Sequence, residues 1–128
     1  MPNYHSPMHF EIPVDDMDRA IAFYKGLFGW EITSSGPDFT DYYMIKTVPS
    51  DGSARGINGG MMKRADPNQH PINYITVENI DEYLGKVESL GGVVLMPKMP
   101  VKGMGWNAVC QDSEKNSFGL WQDDKNAA

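Results

Sequence analysis

Cysteine and clustered basic residues are scarce in this sequence. The chain of 128 residues has one cysteine, Cys110, which excludes an internal disulfide and any cysteine-rich metal site. Lysine and arginine total 11 against 17 aspartate and glutamate residues, for a formal net charge of −6. Only Lys63 and Arg64 are adjacent basic residues. We therefore expect neither nucleic acid nor a membrane surface as a partner.

Long apolar runs and several familiar motifs are also absent. No stretch is long and apolar enough to cross a bilayer, and the N-terminal sequence MPNYHSPMHF has no signal-peptide pattern. We therefore expect a cytoplasmic protein. The chain has no phosphate-binding glycine loop and no Ser-His-Asp order that would indicate a hydrolase. Its length and its 41% hydrophobic content predict a single globular domain.

A strand–turn–helix pattern over residues 9–29 organises the first half of the chain. Phe10, Ile12 and Val14 alternate with more polar residues, which predicts a half-buried strand. Asp15 and Asp16 can cap the helix that follows. Apolar residues then recur at helical spacing and predict one buried stripe, formed by Met17, Ala20, Ile21, Tyr24, Leu27 and Phe28.

The same pattern returns 63 residues later, without a gap from Ile12/Ile75 to Gly29/Gly92. Asn79 and Glu82 form a capping box at the start of the second helix. Two copies in one register predict a pseudo-symmetric fold. Three strands are expected after each helix: residues 30–33, 42–48 and 57–63, then 93–96, 106–111 and 117–122. Residues 65–71 are the expected linker, and the tail from Asp123 is expected to fray.

These residues carry a resemblance to the vicinal oxygen chelate superfamily, which includes glyoxalase I, bleomycin-resistance proteins and extradiol dioxygenases. The resemblance rests on IPVDDMDRAIAFYKGLFGWEI, ITVENIDEYLGKVESLGG and DSEKNSFGLWQ. It implies an α+β fold with two βαβββ modules, residues 8–64 and 71–122, whose mixed sheets form a cleft. Residues 1–128 would form one glyoxalase-like domain.

The resemblance also implies where a divalent metal would bind, since metal-using members supply four side chains from the first and last strands of each module. His9 stands at the first position, but Ile72 and Gly119 replace the ligands in the second module. The closing strand of the first module cannot be aligned with certainty, and residues 54–63 contain no Asp, Glu, His or Cys. We therefore expect no metal and no other cofactor. His5 and His70, both beside loop prolines, are the only other imidazoles.

Strand alternation predicts which residues would line the cleft instead. His9 and Glu11 would face it from the first strand, opposite to the residues that pack on the helix. By the same alternation, Tyr74, Thr76 and Trp121 would face the cleft from the second half of the chain. Trp106 is a separate candidate, which could stack on a ligand. An aromatic wall with a few polar groups suits a small organic molecule.

Three functions follow from these patterns. The favoured one is metal-independent binding of a small organic molecule by a protein of the glyoxalase/bleomycin-resistance type. The second is a metal-dependent lyase, isomerase or dioxygenase with a misaligned ligand set. The third is a non-catalytic interaction module. The superfamily hosts many chemistries on one scaffold, so turnover is left open, and a homodimer is expected.

Overall fold

A computed structural model of the chain describes residues 5–36 and 41–128. These residues divide into two compact units: unit one comprises residues 9–71, and unit two comprises residues 72–128 together with the N-terminal residues up to Met8. The helices and strands follow one another in the order of two βαβββ modules: β1 (Pro7–Val14), α1 (Met17–Phe28), β2 (Glu31–Ser34), β3 (Tyr42–Lys46), β4 (Asn58–Lys63), β5 (Ile72–Thr76), α2 (Ile80–Ser89), β6 (Val93–Val101), β7 (Gly105–Gln111) and β8 (Ser117–Asp123).

The two units have the same strand order. In unit one it is β2-β3-β4-β1, and in unit two β6-β7-β8-β5. The first strand of each module pairs in parallel with the last, and the other pairs are antiparallel. The α+β class and the two βαβββ modules are therefore confirmed.

Both helices begin, and α1 ends, where local chemistry predicts. The Asp16 carboxylate accepts a hydrogen bond of 3.0 Å from the backbone N–H of Arg19, which satisfies a free donor of the first helical turn. Gly29 ends α1 in the left-handed conformation with φ 73°, which glycine adopts at little cost. The Asn79 side chain caps α2 by accepting from the backbone N–H of Glu82 at 3.1 Å.

Each unit has its own core between helix and sheet. In unit one, Val14, Ile45 and Met61 are buried against α1, and Phe10 and Ile12 pack beside them. The predicted faces of β1 are therefore confirmed. In unit two, the buried cluster contains residues from α2, β7 and β8 and one residue between β5 and α2: Ile80, Ala108, Cys110, Leu120 and Val77.

Three local predictions were wrong. Leu27 and Phe28 are each 58% exposed, so the apolar stripe is not buried along the last turn of α1. β6 continues through Pro97 and Pro100 to Val101, with two register shifts against β7. The tail is held in place, since the Asp124 carboxylate accepts from Trp106 Nε1 at 2.9 Å and Ala127 is buried.

Within unit one, the Arg64 side chain connects the expected linker, residues 65–71, with the end of β1. Arg64 Nε pairs with the Asp15 carboxylate at 3.0 Å, and its guanidinium also donates to the carbonyl oxygens of Pro13 and Gln69. The Gln69 side chain in turn accepts from the backbone N–H of Ala65 at 2.8 Å. Among the residues described, no helix has the length and hydropathy needed to span a membrane.

Candidate functional site

Three polar side chains lie together on the sheet face of unit one that points away from α1. His9 and Glu11 project from this face of β1, and Tyr42 reaches them from β3. The Tyr42 hydroxyl lies 2.9 Å from His9 Nε2 and donates to Glu11 Oε2 at 2.9 Å. All three side chains are half-buried. We call His9, Glu11 and Tyr42 the polar triad.

Gly60 makes the triad possible. β4 lies between β3 and β1, and Gly60 is directly opposite Glu11 in the parallel register. A Cβ atom at residue 60 would overlap the Tyr42 hydroxyl and ring. Because Gly60 has no side chain, Tyr42 can lie across β4 and reach β1. The exposed sulfur-bearing side chain of Met44 follows Tyr42 on the same face.

The hydrogen bonds determine which atoms of the triad carry the protons and which accept them. A phenol has one proton, and the Tyr42 hydroxyl donates it to Glu11. His9 must therefore donate its Nε2–H to the Tyr42 oxygen, which assigns the Nε2-protonated tautomer to the neutral imidazole. Desolvation lowers the pKa of His9 from its ordinary value of 6.5, since burial disfavours the charged form. Burial therefore favours the neutral form of the imidazole.

Unit two carries aromatic rings on its corresponding sheet face. Tyr74 is 5% exposed, and a Cβ atom at Gly119 would overlap its ring. Trp121 covers Gly105 in the same manner, and its Nε1 donates to Asp123 Oδ1 at 2.8 Å. Thr76 pairs with Trp121 in the register of β5 and β8, and its hydroxyl contacts the sulfur of Met8. The structure thus brings Tyr74, Thr76 and Trp121 together.

Trp106 lies elsewhere. It packs against the buried cluster of unit two on the helix side of the sheet, with Lys98 Nζ 4.5 Å from its ring centroid. Ala108 and Cys110 share its face of β7. The structure therefore does not bring Trp106 together with Tyr74 and Trp121.

A separate open groove of about 350 Å³ lies on the helix side of unit one. Val14, Phe23 and Tyr24 contribute its apolar wall, and Asp15 and Arg64 contribute its charges. Those two charges are already paired with each other. None of the residues that line the groove belongs to the polar triad.

Tyr42 is the functional residue that the sequence reasoning missed. The sequence predicts only a strand over residues 42–48. Alternation places Tyr43 and Ile45 in the core and so points Tyr42 to the other face. The signal was present in this alternation. Its partners were not predictable locally, because they are 33 and 31 residues away.

Comparison with known proteins finds relatives of this chain in sequence and in fold. Residues 7–47 match the model of a family described as bleomycin resistance protein-like N-terminal. The anthracycline biosynthesis protein DnrV of Streptomyces peucetius is 30% identical over 131 residues, which cover 91% of this chain and 46% of DnrV. These matches support the resemblance of the chain to the vicinal oxygen chelate superfamily. It spans less than half the length of the curated relatives it matches.

Two solved structures show how widely this superfamily fold is shared. A glyoxalase/bleomycin resistance protein/dioxygenase superfamily member from Vibrio splendidus 12B01 has a TM-score of 0.62 at 13% identity, covering 90% of this chain and 96% of that one. Methylmalonyl-CoA epimerase from Mycobacterium tuberculosis also has a TM-score of 0.62, at 17% identity, covering 92% and 87%. At these identities the likeness concerns the fold.

The register of the sheet relates the closing strands of the two modules to each other. Glu11 opposite Gly60 in unit one corresponds to Tyr74 opposite Gly119 in unit two. Gly60 is therefore the first module's counterpart of Gly119. Both closing-strand positions are glycine, and each is covered by a tyrosine, Tyr42 and Tyr74 respectively.

The residues present do not fit the superfamily's metal ion. Of the four ligand positions, His9 alone carries a donor, and its Nε2 faces a tyrosine hydroxyl. Within residues 5–36 and 41–128, no group of three or more His, Cys, Asp and Glu side chains could hold a metal ion. His5 instead contacts Tyr83 of α2 at 3.1 Å, and His70 is exposed in the linker.

Proposed function

We propose that this chain binds a small organic molecule on the sheet face that carries the polar triad, without a metal ion taking part. The observation behind the proposal is the Tyr42 hydroxyl, held at 2.9 Å from both His9 Nε2 and Glu11 Oε2. Three half-buried polar groups in fixed positions cost binding little reorganisation. A few such groups among apolar side chains are typical of small-molecule sites.

The chemistry of the face suggests the ligand class. Met44 and Met62 lie beside the triad on neighbouring strands, and thioethers adapt to irregular apolar surfaces. The triad contributes a carboxylate, a phenol and a neutral imidazole, which can hydrogen-bond to hydroxyl, amino or carbonyl groups. A ligand with a flat apolar body and polar substituents would match both parts. An anthracycline has this character, and bleomycin is the second probe that the relatives' names suggest.

Tryptophan fluorescence and thermal unfolding can test the proposal directly. Each probe is titrated into the protein in the presence of EDTA, with wild type compared to Tyr42→Phe. Loss of one hydrogen bond of about 1–1.5 kcal/mol weakens binding roughly tenfold. Tyr43→Phe is the matched control, because Tyr43 is the adjacent residue and packs in the core behind the sheet.

Binding that survives EDTA, weakens in Tyr42→Phe and is unchanged in Tyr43→Phe supports the proposal. Binding that EDTA abolishes would contradict the metal-independent part. If neither probe, nor any member of a library of drug-sized aromatic compounds, raises the melting temperature, the face is not a small-molecule site.

A further inference from the structure

The polar triad contains two groups that could bind a cation together. His9 Nε2 and Glu11 Oε2 both point at one position, and the Tyr42 oxygen occupies it at 2.9 Å from each. A divalent ion held by an imidazole and a carboxylate lies about 2.0–2.2 Å from each donor atom. Such an ion would need the space of the Tyr42 hydroxyl. Tyr42 and the ion therefore exclude each other.

The same hydroxyl also blocks the position from which a third donor would come. Gly60 is opposite Glu11 in the register of β1 and β4, so a side chain at residue 60 would start on the face of the triad. Its Cβ atom would overlap Tyr42 Oη. A carboxylate at residue 60 and the tyrosine ring at residue 42 cannot both be accommodated. One side chain thus prevents both the ion and its third ligand.

We propose that Tyr42 is the residue that selects the ligand class of this site, by occupying the position that a divalent ion would otherwise take. The inference rests on the proposed function in that it assigns the ligand to the same face. It adds a specific residue and a reason: the hydroxyl acts as a neutral replacement for the ion, satisfying His9 and Glu11 at once. Removing Tyr42 and supplying a carboxylate at residue 60 should therefore turn the face into a metal site.

The test compares ion binding by four metal-stripped proteins: wild type, Tyr42→Ala, Gly60→Glu, and the double variant Tyr42→Ala/Gly60→Glu. Zn(II) and Mn(II) are titrated, and heat release and melting temperature are measured. We expect no binding by wild type or Gly60→Glu, and weak binding by Tyr42→Ala through His9 and Glu11. The double variant should bind roughly tenfold tighter than Tyr42→Ala, because a third, charged donor is added.

Two controls make the result specific. Tyr42→Ala/Gly60→Gln has nearly the same shape without the charge, and should bind no tighter than Tyr42→Ala. Adding His9→Ala to the double variant should abolish binding. A folded double variant that binds no tighter than the glutamine control would overturn the inference. Wild-type protein that binds either ion through His9 would overturn it as well.

If the double variant does not fold, Tyr42→Ala alone decides. Mn(II) is paramagnetic and should broaden the imidazole NMR signals of His9 in Tyr42→Ala but not in wild type; equal broadening, or none in either protein, contradicts the inference. The proposed function fails separately. If the variants bind ions as expected but wild type binds no organic probe, Tyr42 excludes the ion and the face has another role.

Discussion

The two units share a glycine in the closing strand, but the side chains that cover it differ in what they do. In each, the first strand faces a glycine of the closing strand, Gly60 in unit one and Gly119 in unit two, and a tyrosine covers that glycine. Tyr42 covers Gly60 with its hydroxyl end and forms hydrogen bonds there, whereas Tyr74 covers Gly119 with the base of its ring. One unit therefore presents polar chemistry at this position, and the other presents packing.

This difference shows that glycine, rather than the covering residue, is the shared feature of the repeat. Tyr42 comes from β3 and Tyr74 from β5, so equivalent positions do not supply the rings. A glycine in a strand interior costs packing and backbone entropy. Its presence in both closing strands is compensated by the aromatic side chain that approaches the backbone.

The largest expected effect is that of Gly119→Ala. The new methyl group would overlap Cγ, Cδ1 and Cε1 of the buried Tyr74 ring, close to the ring's attachment, where the side chain cannot swing away. We expect a loss of about 3 kcal/mol in the free energy of unfolding, measured by urea denaturation. Gly85→Ala is the control: nothing lies within 4 Å of a Cβ at residue 85, and alanine favours a helix there. A Gly119→Ala midpoint at or above wild type would show that Tyr74 moves aside.

Gly60→Ala should cost less, about 2 kcal/mol. Its methyl group meets the outer end of the Tyr42 side chain, which can rotate away at the cost of its hydrogen bonds to His9 and Glu11. The same measurement in a Tyr42→Ala background provides a double-mutant cycle. The cost of Gly60→Ala should disappear in that background; if it persists, the strain lies in the backbone instead.

Tyr42→Phe isolates the hydrogen bonds from the packing, and we expect a loss of about 1 kcal/mol. The ring still covers Gly60, while His9 Nε2 and Glu11 Oε2 lose their shared partner. Chemical denaturation of Tyr42→Phe and of the core control Tyr43→Phe measures the difference. Equal stabilities for the two variants would mean that the triad contributes nothing to folding.

The smallest expected effect is a pH dependence of the free energy of unfolding, caused by His9. Only unit one can show it, because the residue at the position of unit two that corresponds to His9 is Ile72. Desolvation lowers the pKa of His9 in the folded state below 6.5. His9 therefore binds a proton more readily in the unfolded chain than in the folded one. The contribution of neutral His9 to the free energy of unfolding is fully present above pH 6.5 and is lost as the pH falls towards the folded pKa.

His9→Gln removes that dependence while keeping a side-chain N–H donor. The stability advantage of wild type over His9→Gln should therefore be smaller at pH 5 than at pH 7.5, as measured by urea denaturation at both pH values. An advantage that stays constant or grows on acidification would contradict the assigned direction.

The fold could be predicted from sequence because its signals are local and occur twice. Alternation in β1 separated Phe10 and Ile12 from His9 and Glu11, and the ungapped repeat predicted the second module from the first. The same reasoning went wrong where long-range packing decides. Leu27 has helical spacing but stays exposed, and β6 tolerates prolines because it is the outermost strand of its unit.

The site was only half predictable for the same reason. His9 and Glu11 follow from one strand, but Tyr42 joins them through the register of β3, β4 and β1, which no local pattern encodes. Trp106 lies on the helix side of β7, and its neighbours in the sequence indicate that face. Ala108 and Cys110 are small apolar residues that face the helix, and a residue two positions before Ala108 must face the same way.

The irregular course of β6 has a consequence for solubility. Among the described strands, β6 is the last of unit two, and it exposes Leu95, Met96 and Met99 by about half of their surface each. An apolar outer strand of this length is a template for aggregation with other chains. Pro97 and Pro100 each remove an amide donor, and the register shifts on either side of Met96 bend the backbone. β6 therefore offers an incoming strand no continuous ladder, and its apolar side chains can stay exposed without seeding fibrils.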